Sequence, residues 1–349
     1  MHDFYENLLG TALPRPSSLN LPYFHREGAD LSALDDPFSE EEVWNTIKSL
    51  PSDRAPGPDG YTGRFYKVAW SVIKFDMMAA LITLQQGNPQ KLWLLNSACM
   101  TLIPKKVDAV NAGDFRPISL VHSSAKLVTK ILANRLAPHL NSLVSSNQNA
   151  FICGRCIHDN YMMVQQTIKL LQRRKVPNLF LKLDISKAFD SVSWSLLEVL
   201  AHLGFGPLWC NLVSNLLATS STQILLNGEP GESIKHQHGL RQGDPLSPMM
   251  FILIMDVLNS LFIKAGDEGL LQPLSSRSTR QRVSLYANDV ALFIRPAEEE
   301  FQITKDILDY FGSASGLQTN QFQIRSCDVV ICCLGSRRSP IASLDGRPH

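Results

Sequence analysis

Along residues 179–185 apolar and polar positions alternate. Leu179, Leu181, Leu183 and Ile185 fall on one face, and Phe180, Lys182 and Asp184 fall on the other. Successive side chains of a strand point to opposite faces, so the run predicts a half-buried strand that delivers Asp184 to an edge or cleft. A second pattern brackets Ala287 and Asn288. Val283, Leu285 and Tyr286 lead in, and Val290, Ala291, Leu292, Phe293 and Ile294 lead out. It predicts two buried strands joined by a tight turn, with Asn288 and Asp289 at the turn. Helical spacing marks residues 39–50, where Ser39 and Glu42 form a capping box, and residues 62–86. It returns over 124–136, with Leu127, Val128, Ile131 and Leu132 on one side, Lys126 and Lys130 on another, and Pro138 as a stop. Asp190 is expected to cap a helix running to Leu203 and closed by Gly204. Asp244 and Pro245 open a further helix through Phe251 and Met255 to Ala265, ended by Gly266. Residues 101–106 read as a short strand ending in two cations, and the two prolines of 55–60 make a rigid loop. After Asn320 the pattern fades. The class is α+β.

Composition narrows this picture. A chain of 349 residues, 44% hydrophobic and 19% charged, can bury a sizeable core as one large domain or two or three subdomains. No unbroken run of about 18 apolar residues exists, so no transmembrane helix and no membrane partner is expected. The first residues lack the basic-then-apolar order of a signal peptide. Seven cysteines, an odd number, point to reduced thiols and an intracellular setting, nucleus or cytoplasm. The formal net charge of +1 hides an asymmetry: residues 1–60 hold eleven Asp or Glu against four Lys or Arg, whereas residues 91–187 hold fourteen Lys or Arg against four Asp. A basic middle segment is the electrostatic footprint expected for a phosphate backbone, although a solvated basic surface gives the same count.

Asp184 at a strand end and Asp289 in a hairpin suit a particular task. Nucleotidyl transfer uses two Mg²⁺ ions about 4 Å apart, which lower the pKa of an attacking hydroxyl and neutralise the departing pyrophosphate. Mg²⁺ prefers oxygen ligands, usually one or two carboxylates completed by phosphates and water. Carboxylates from separate elements must therefore meet. Taken singly, Asp184 reads equally as a cap and Asp289 as a turn residue.

Ordered blocks add to this. They read Ala-Pro-Gly-Pro-Asp-Gly (55–60), Leu-Ile-Pro-Lys-Lys (102–106), Asp-Phe-Arg-Pro-Ile-Ser-Leu (114–120), Ile-Leu-Ala-Asn-Arg-Leu (131–136) and Asn-Gln-Asn-Ala-Phe-Ile (147–152). Leu-Asp-Ile-Ser-Lys-Ala-Phe-Asp (183–190), Gly-Leu-Arg-Gln-Gly-Asp-Pro-Leu-Ser-Pro (239–248), Tyr-Ala-Asn-Asp (286–289) and Ser-Gly-Leu-Gln-Thr-Asn (315–320) follow. In this order they resemble the reverse transcriptase domain of LINE-type non-LTR retrotransposons of the kind found in plants, over roughly residues 5–320. The resemblance implies a right-hand polymerase fold of fingers and palm, the palm a small antiparallel sheet with helices packed on one face, the thumb absent or truncated. It divides the chain into an acidic N-terminal extension (1–50), fingers and part of the palm (51–178), the palm with its metal-binding motifs (179–320) and a divergent tail (321–349). It implies an RNA-directed DNA polymerase that takes an RNA template, a DNA primer and deoxynucleoside triphosphates, with two Mg²⁺ or Mn²⁺ ions. Asp184 and Asp289 would hold metal, joined by the backbone carbonyl of Ile185. Phe189 would exclude a ribose 2′-hydroxyl, unless it is a core ring. Arg116 and one of Lys105 or Lys106 would bind triphosphate. Gln242 and Gly243 would shape the floor under the incoming nucleotide.

At one point the chain departs from that pattern. The hairpin of the family reads Tyr-Ala-Asp-Asp or Phe-Ala-Asp-Asp, and here Asn288 replaces the first Asp, a principal metal ligand and part of the catalytic set. Asparagine fits a turn, so the fold survives. Two unit charges about 4 Å apart interact by about 4 kcal/mol at an effective dielectric of 20, and a divalent ion roughly doubles that. A loss of several kcal/mol in the transition state slows a reaction about a thousandfold or more. The Lys that follows the position of Asn320 in the family is also missing or displaced, since Gln321, Phe322, Gln323, Ile324 and Arg325 stand there. The expectation is a degenerate copy with weak or no activity. Its rivals are a non-catalytic RNA- or DNA-binding remnant and an unstable remnant with no role. Cys153, Cys156 and His158 lack further ligands at zinc spacing, Arg173, Arg174 and Lys175 read as a solvated helix end, and Trp44, Trp70, Trp93, Trp194 and Trp209 read as core.

Overall fold

The computed structural model describes residues 1–12, 16–26, 28–87, 92–274 and 282–319. Two sheets organise it. In the first, β1 (Ser97–Pro104) pairs antiparallel with β2 (Phe115–Val121) and parallel with β4 (Ser221–Leu226), and β5 (Glu229–Lys235) closes the order β2-β1-β4-β5. The second has the order β3-β7-β6, with β3 (Leu179–Asp184), β6 (Val283–Tyr286) and β7 (Asp289–Ile294) all antiparallel. The alternation in β3 holds: Leu181 and Leu183 are buried, and Lys182 and Asp184 are exposed. Phe180 and Phe293, on the opposite face, meet as tilted rings 5.1 Å apart in a cluster with helix residues Ile168 and Leu171.

The helices are α1 (Glu40–Ser49), α2 (Gly63–Gln85), α3 (Ser123–Leu136), α4 (Ile157–Arg173), α5 (Leu196–His202), α6 (Pro207–Ala218), α7 (Ser247–Asp267) and α8 (Glu298–Ser315), with single turns between them. Ser39 caps α1 by accepting from the Glu42 N–H at 3.1 Å. Every residue of α7 from Met250 to Ser260 is buried, which makes it the central strut of the main core. Leu19, Leu21, Leu31, Leu34 and Phe38 join that same core, so these parts of the acidic N-terminal stretch are packed into the molecule. Because β1 pairs with β4, the first sheet also crosses position 178.

Several local expectations are corrected. Asp190 caps no helix: it lies buried in the turn Ala188–Ser191, and α5 starts only at Leu196. Asp244 does accept from the Leu246 and Ser247 N–H groups (2.8 and 3.3 Å), but α7 begins at Ser247 and runs through Gly266 to Asp267. Trp93 is 60% exposed, whereas Trp44 stacks on Trp70 and Trp209 is buried. By length and composition α2 and α7 could each cross a membrane, which an unbroken-run criterion misses. Burial accounts for α7. On α2, Val68, Val72, Phe75 and Ile82 remain exposed. The tail 321–349 and Asn320 lie outside the described residues.

Candidate active site

The β-ladder itself builds the site. Asp184 ends β3 and Asp289 begins β7, and the two are register partners across the antiparallel pair. On the other side Tyr286 pairs with Asp289, which leaves Ala287 and Asn288 as a two-residue turn. Ala287 takes φ 52°, the left-handed conformation that such hairpin turns demand. Asn288 then turns back over β3, and its Nδ2 donates to Asp184 Oδ1 at 3.1 Å. Lys182, on the same face as Asp184, brings its Nζ to 3.8 Å from Asp289 Oδ1, with both side chains more than half exposed. The site therefore holds two carboxylates, one amide and one cation. Ile185, the next residue on, is buried and bridges to Thr319. The oxygen donors present are of the kind a hard divalent cation takes.

A second group assembles around Asp190, six residues after Asp184. Gln242 donates through Nε2 to both oxygens of Asp190, at 3.0 and 3.1 Å. Its backbone carbonyl accepts from the Ser119 N–H at 2.9 Å, which joins it to the strand of Arg116. Leu240 donates to the Phe189 carbonyl at 2.7 Å and Gly239 to that of Val192 at 2.7 Å, so residues 239–242 run beside 189–192. Gly243 has φ 101°, and a Cβ there would stand 3.1 Å from the Ser119 carbonyl oxygen. Burial pushes the Asp190 carboxyl up to about 6, against the opposing pull of Gln242, Lys105 and Lys187. Burial, followed by the charge of Asp190, pushes the Tyr5 hydroxyl up to about 12. Phe189 is half-buried, with its ring stacked on Phe251 at 4.7 Å and 20°.

The two lysines that follow β1 differ. Lys106 is paired with Asp114 at 3.1 Å, while Lys105 donates to the Gly113 carbonyl at 2.9 Å and its charge still reaches Asp190. Arg116 is exposed on β2. Asp184, Asn288 and Asp289 are thus brought together; Phe189 lies in the Ala188–Ser191 turn that Gln242 joins through Asp190, Gly243 packs against Ser119, and Lys105 is held at Gly113. Sequence reasoning missed Lys182, whose period-two position beside Asp184 was the available signal, and Gln148, which touches the turn from 139 residues away. Cys153 and Cys156 are free and exposed.

The reverse transcriptase (RNA-dependent DNA polymerase) family matches residues 103–327, more than half of the chain. A relative from Xenopus laevis, the transposon TX1 uncharacterized 149 kDa protein, is 26% identical over 288 residues, 82% of this chain and 22% of its own length. The Pol polyprotein from the type-1 retrotransposable element R2 of Nasonia vitripennis is 31% identical over 226 residues, 64% of this chain and 21% of its own. The chain thus spans about a fifth of these relatives. Apo telomerase from Candida tropicalis, truncated from its C-terminal domain, is similar at a TM-score of 0.48 and 12% identity, over 66% of this chain and 49% of that one. The architecture is the fingers-and-palm arrangement of a right-hand polymerase, and the chain belongs to the reverse transcriptase family as a domain of the non-LTR retrotransposon type.

Proposed function

We propose that this domain carries the nucleotidyl-transfer centre of an RNA-directed DNA polymerase, weakened by Asn288. The observation that carries the reading is the register pairing of Asp184 with Asp289 beneath the Ala287–Asn288 turn. Two Mg²⁺ or Mn²⁺ ions held there would supply Lewis acidity to a primer hydroxyl and to a triphosphate. The residues that would hold them are Asp184, Asp289 and the carbonyl of Ile185. Lys105 and Arg116 approach from the fingers with charge suited to phosphate oxygens, Arg116 in a bidentate manner. Phe189 and Gln242 would bound the nucleotide, and residues 51–178 and 179–320 would act as fingers with part of the palm, and palm. The partners are an RNA template, a DNA primer and deoxynucleoside triphosphates. A plant lineage for the element is a finer proposal, supported by the wording of the ordered blocks.

A second reading, binding of RNA or DNA without chemistry, draws on two contacts. An aspartate at position 288 would face Asp184 as a like charge and call for a cation between them. The Asn288 amide instead satisfies Asp184 directly, and Lys182 already lies near Asp289. Primer extension on an RNA template decides between the two. Expected is extension at or near background for the unmodified chain, and for Asn288→Asp a rise of about a thousandfold. Robust extension by the unmodified chain overturns the weakening by Asn288. No extension by Asn288→Asp, with salt-dependent binding retained, favours the non-catalytic reading.

A further inference from the structure

The outer edge of β6 is covered by a loop. Leu285 donates its N–H to the Asn147 carbonyl at 2.8 Å, Asn149 donates to the Leu285 carbonyl at 3.2 Å, and Gln148 sits opposite Leu285 in a parallel bridge. The covering loop is itself held. Arg155 donates through Nη1 to the carbonyls of Ser145 (2.6 Å) and Gln148 (2.8 Å) and through Nη2 to that of Val144 (3.1 Å). Asn147 Nδ2 reaches the Val283 carbonyl at 2.9 Å, and Asn160 Nδ2 reaches Ser284 Oγ at 2.7 Å and the Leu285 carbonyl at 2.9 Å. These contacts fix the strand but stop short of the turn.

Gln148 goes further. Its side chain is fully buried, and Oε1 accepts from the Ala287 N–H and the Ala150 N–H, each at 3.1 Å, while Nε2 faces the Ala287 carbonyl at 3.5 Å. Ala287 is a buried, left-handed alanine. Such a conformation persists only where the surroundings over-determine it. We infer that Gln148 is a positioning residue for the metal site: its amide holds Ala287 in the left-handed turn and so sets where Asn288 and Asp289 stand relative to Asp184. The consequence for metal rests on the proposed nucleotidyl transfer, whereas the hold on the turn does not. Groups that orient metal ligands from behind typically change metal affinity about 10–100-fold when removed.

The test uses the full chain labelled with ¹⁵N-alanine and ¹⁵N-leucine, with three variants. Gln148→Met keeps length and loses the acceptor, Gln148→Glu keeps an acceptor oxygen, and Asn160→Ala loosens the same hairpin away from the turn. Expected is amide exchange at Ala287 about tenfold faster or more in Gln148→Met, an unchanged rate at Leu285, and recovery of the Ala287 rate in Gln148→Glu. In the Asn288→Asp background, Mn²⁺ affinity read from the spin-resonance signal of the free ion should fall about tenfold with Gln148→Met and hold with Asn160→Ala. An unchanged Ala287 rate in Gln148→Met overturns the inference, as does an equal loss of Mn²⁺ affinity in Asn160→Ala. Failure of Asn288→Asp itself to take up Mn²⁺ counts against the nucleotidyl-transfer reading, and the exchange rates then decide the role of Gln148 alone.

Discussion

Asp190 has both carboxyl oxygens against the Gln242 amide and a pKa pushed up to about 6 by burial. An unfolded Asp loses its proton near 3.9. Between about pH 4 and pH 6 the native state therefore holds a proton that the unfolded chain has released. Stability from this group is full below pH 4, falls as pH rises through that window, and is gone above about 6. The difference of about two pKa units corresponds to roughly 3 kcal/mol. Asp190→Asn removes the titration, so urea unfolding at pH 4, 5, 6 and 7 should show the wild-type curve dropping relative to the variant by about that amount. Parallel curves would sink the assignment. Position 190 also shows why a residue that looks local misleads. Read along the chain, an Asp before Ser-Val-Ser suggests a cap, but its partner Gln242 lies 52 residues on, where no sequence window reaches.

Elements with a strong internal period were legible: β3, the β6–β7 hairpin, α1, α2 and α3 stand within a residue or two of their expected bounds. The β4–β5 hairpin was not anticipated, though its signal was present. Asn227 and Gly228 both take positive φ (54° and 88°), the pattern of an Asn-Gly two-residue turn. The parallel pairing of β1 with β4 was not legible, because nothing in either strand marks a partner more than a hundred residues away. One contact carries much of the docking of the acidic N-terminal segment onto α3. Arg135 donates to both Glu42 oxygens (2.6 and 2.7 Å) and to the carbonyls of Leu34 (2.9 Å), Asp36 (2.6 Å) and Pro37 (3.2 Å), and it lies over the Phe38 ring at 4.6 Å. Arg135→Ala strands a half-buried carboxylate and three carbonyls. It should cost about 3 kcal/mol of unfolding free energy in urea titrations. Arg135→Lys should recover less than half, since an ammonium cannot span this fork. A loss under about 0.5 kcal/mol would show that the segment docks by its leucines alone.

At the scale of the whole molecule, the excess of basic residues over 91–187 is divided by the fold into two kinds of charge. Arg135 and Arg155 are engaged with carbonyls and a carboxylate inside the structure, Lys106 pairs with Asp114, and Lys182 pairs with Asp289. Arg116 is exposed on β2, beside the strand pairing that leads to Gln242. Counting basic residues along the chain therefore overstates the phosphate contacts the molecule can make. Each phosphate neutralised by a cation releases counterions, and the slope of log K against log salt falls by about 0.9 per contact on a duplex. Arg116 is exposed and so open to a nucleic-acid backbone as well as to a triphosphate, and Arg116→Ala should weaken binding to an RNA–DNA primer–template and flatten that slope by about 1, measured by fluorescence anisotropy between about 50 and 200 mM salt. Arg135→Ala, which removes the same formal charge from the same basic segment, should leave the slope unchanged at a temperature where the variant remains folded. Equal flattening by both substitutions would mean that nucleic acid senses only net charge, and that engagement of a cation inside the fold makes no difference to its phosphate contacts.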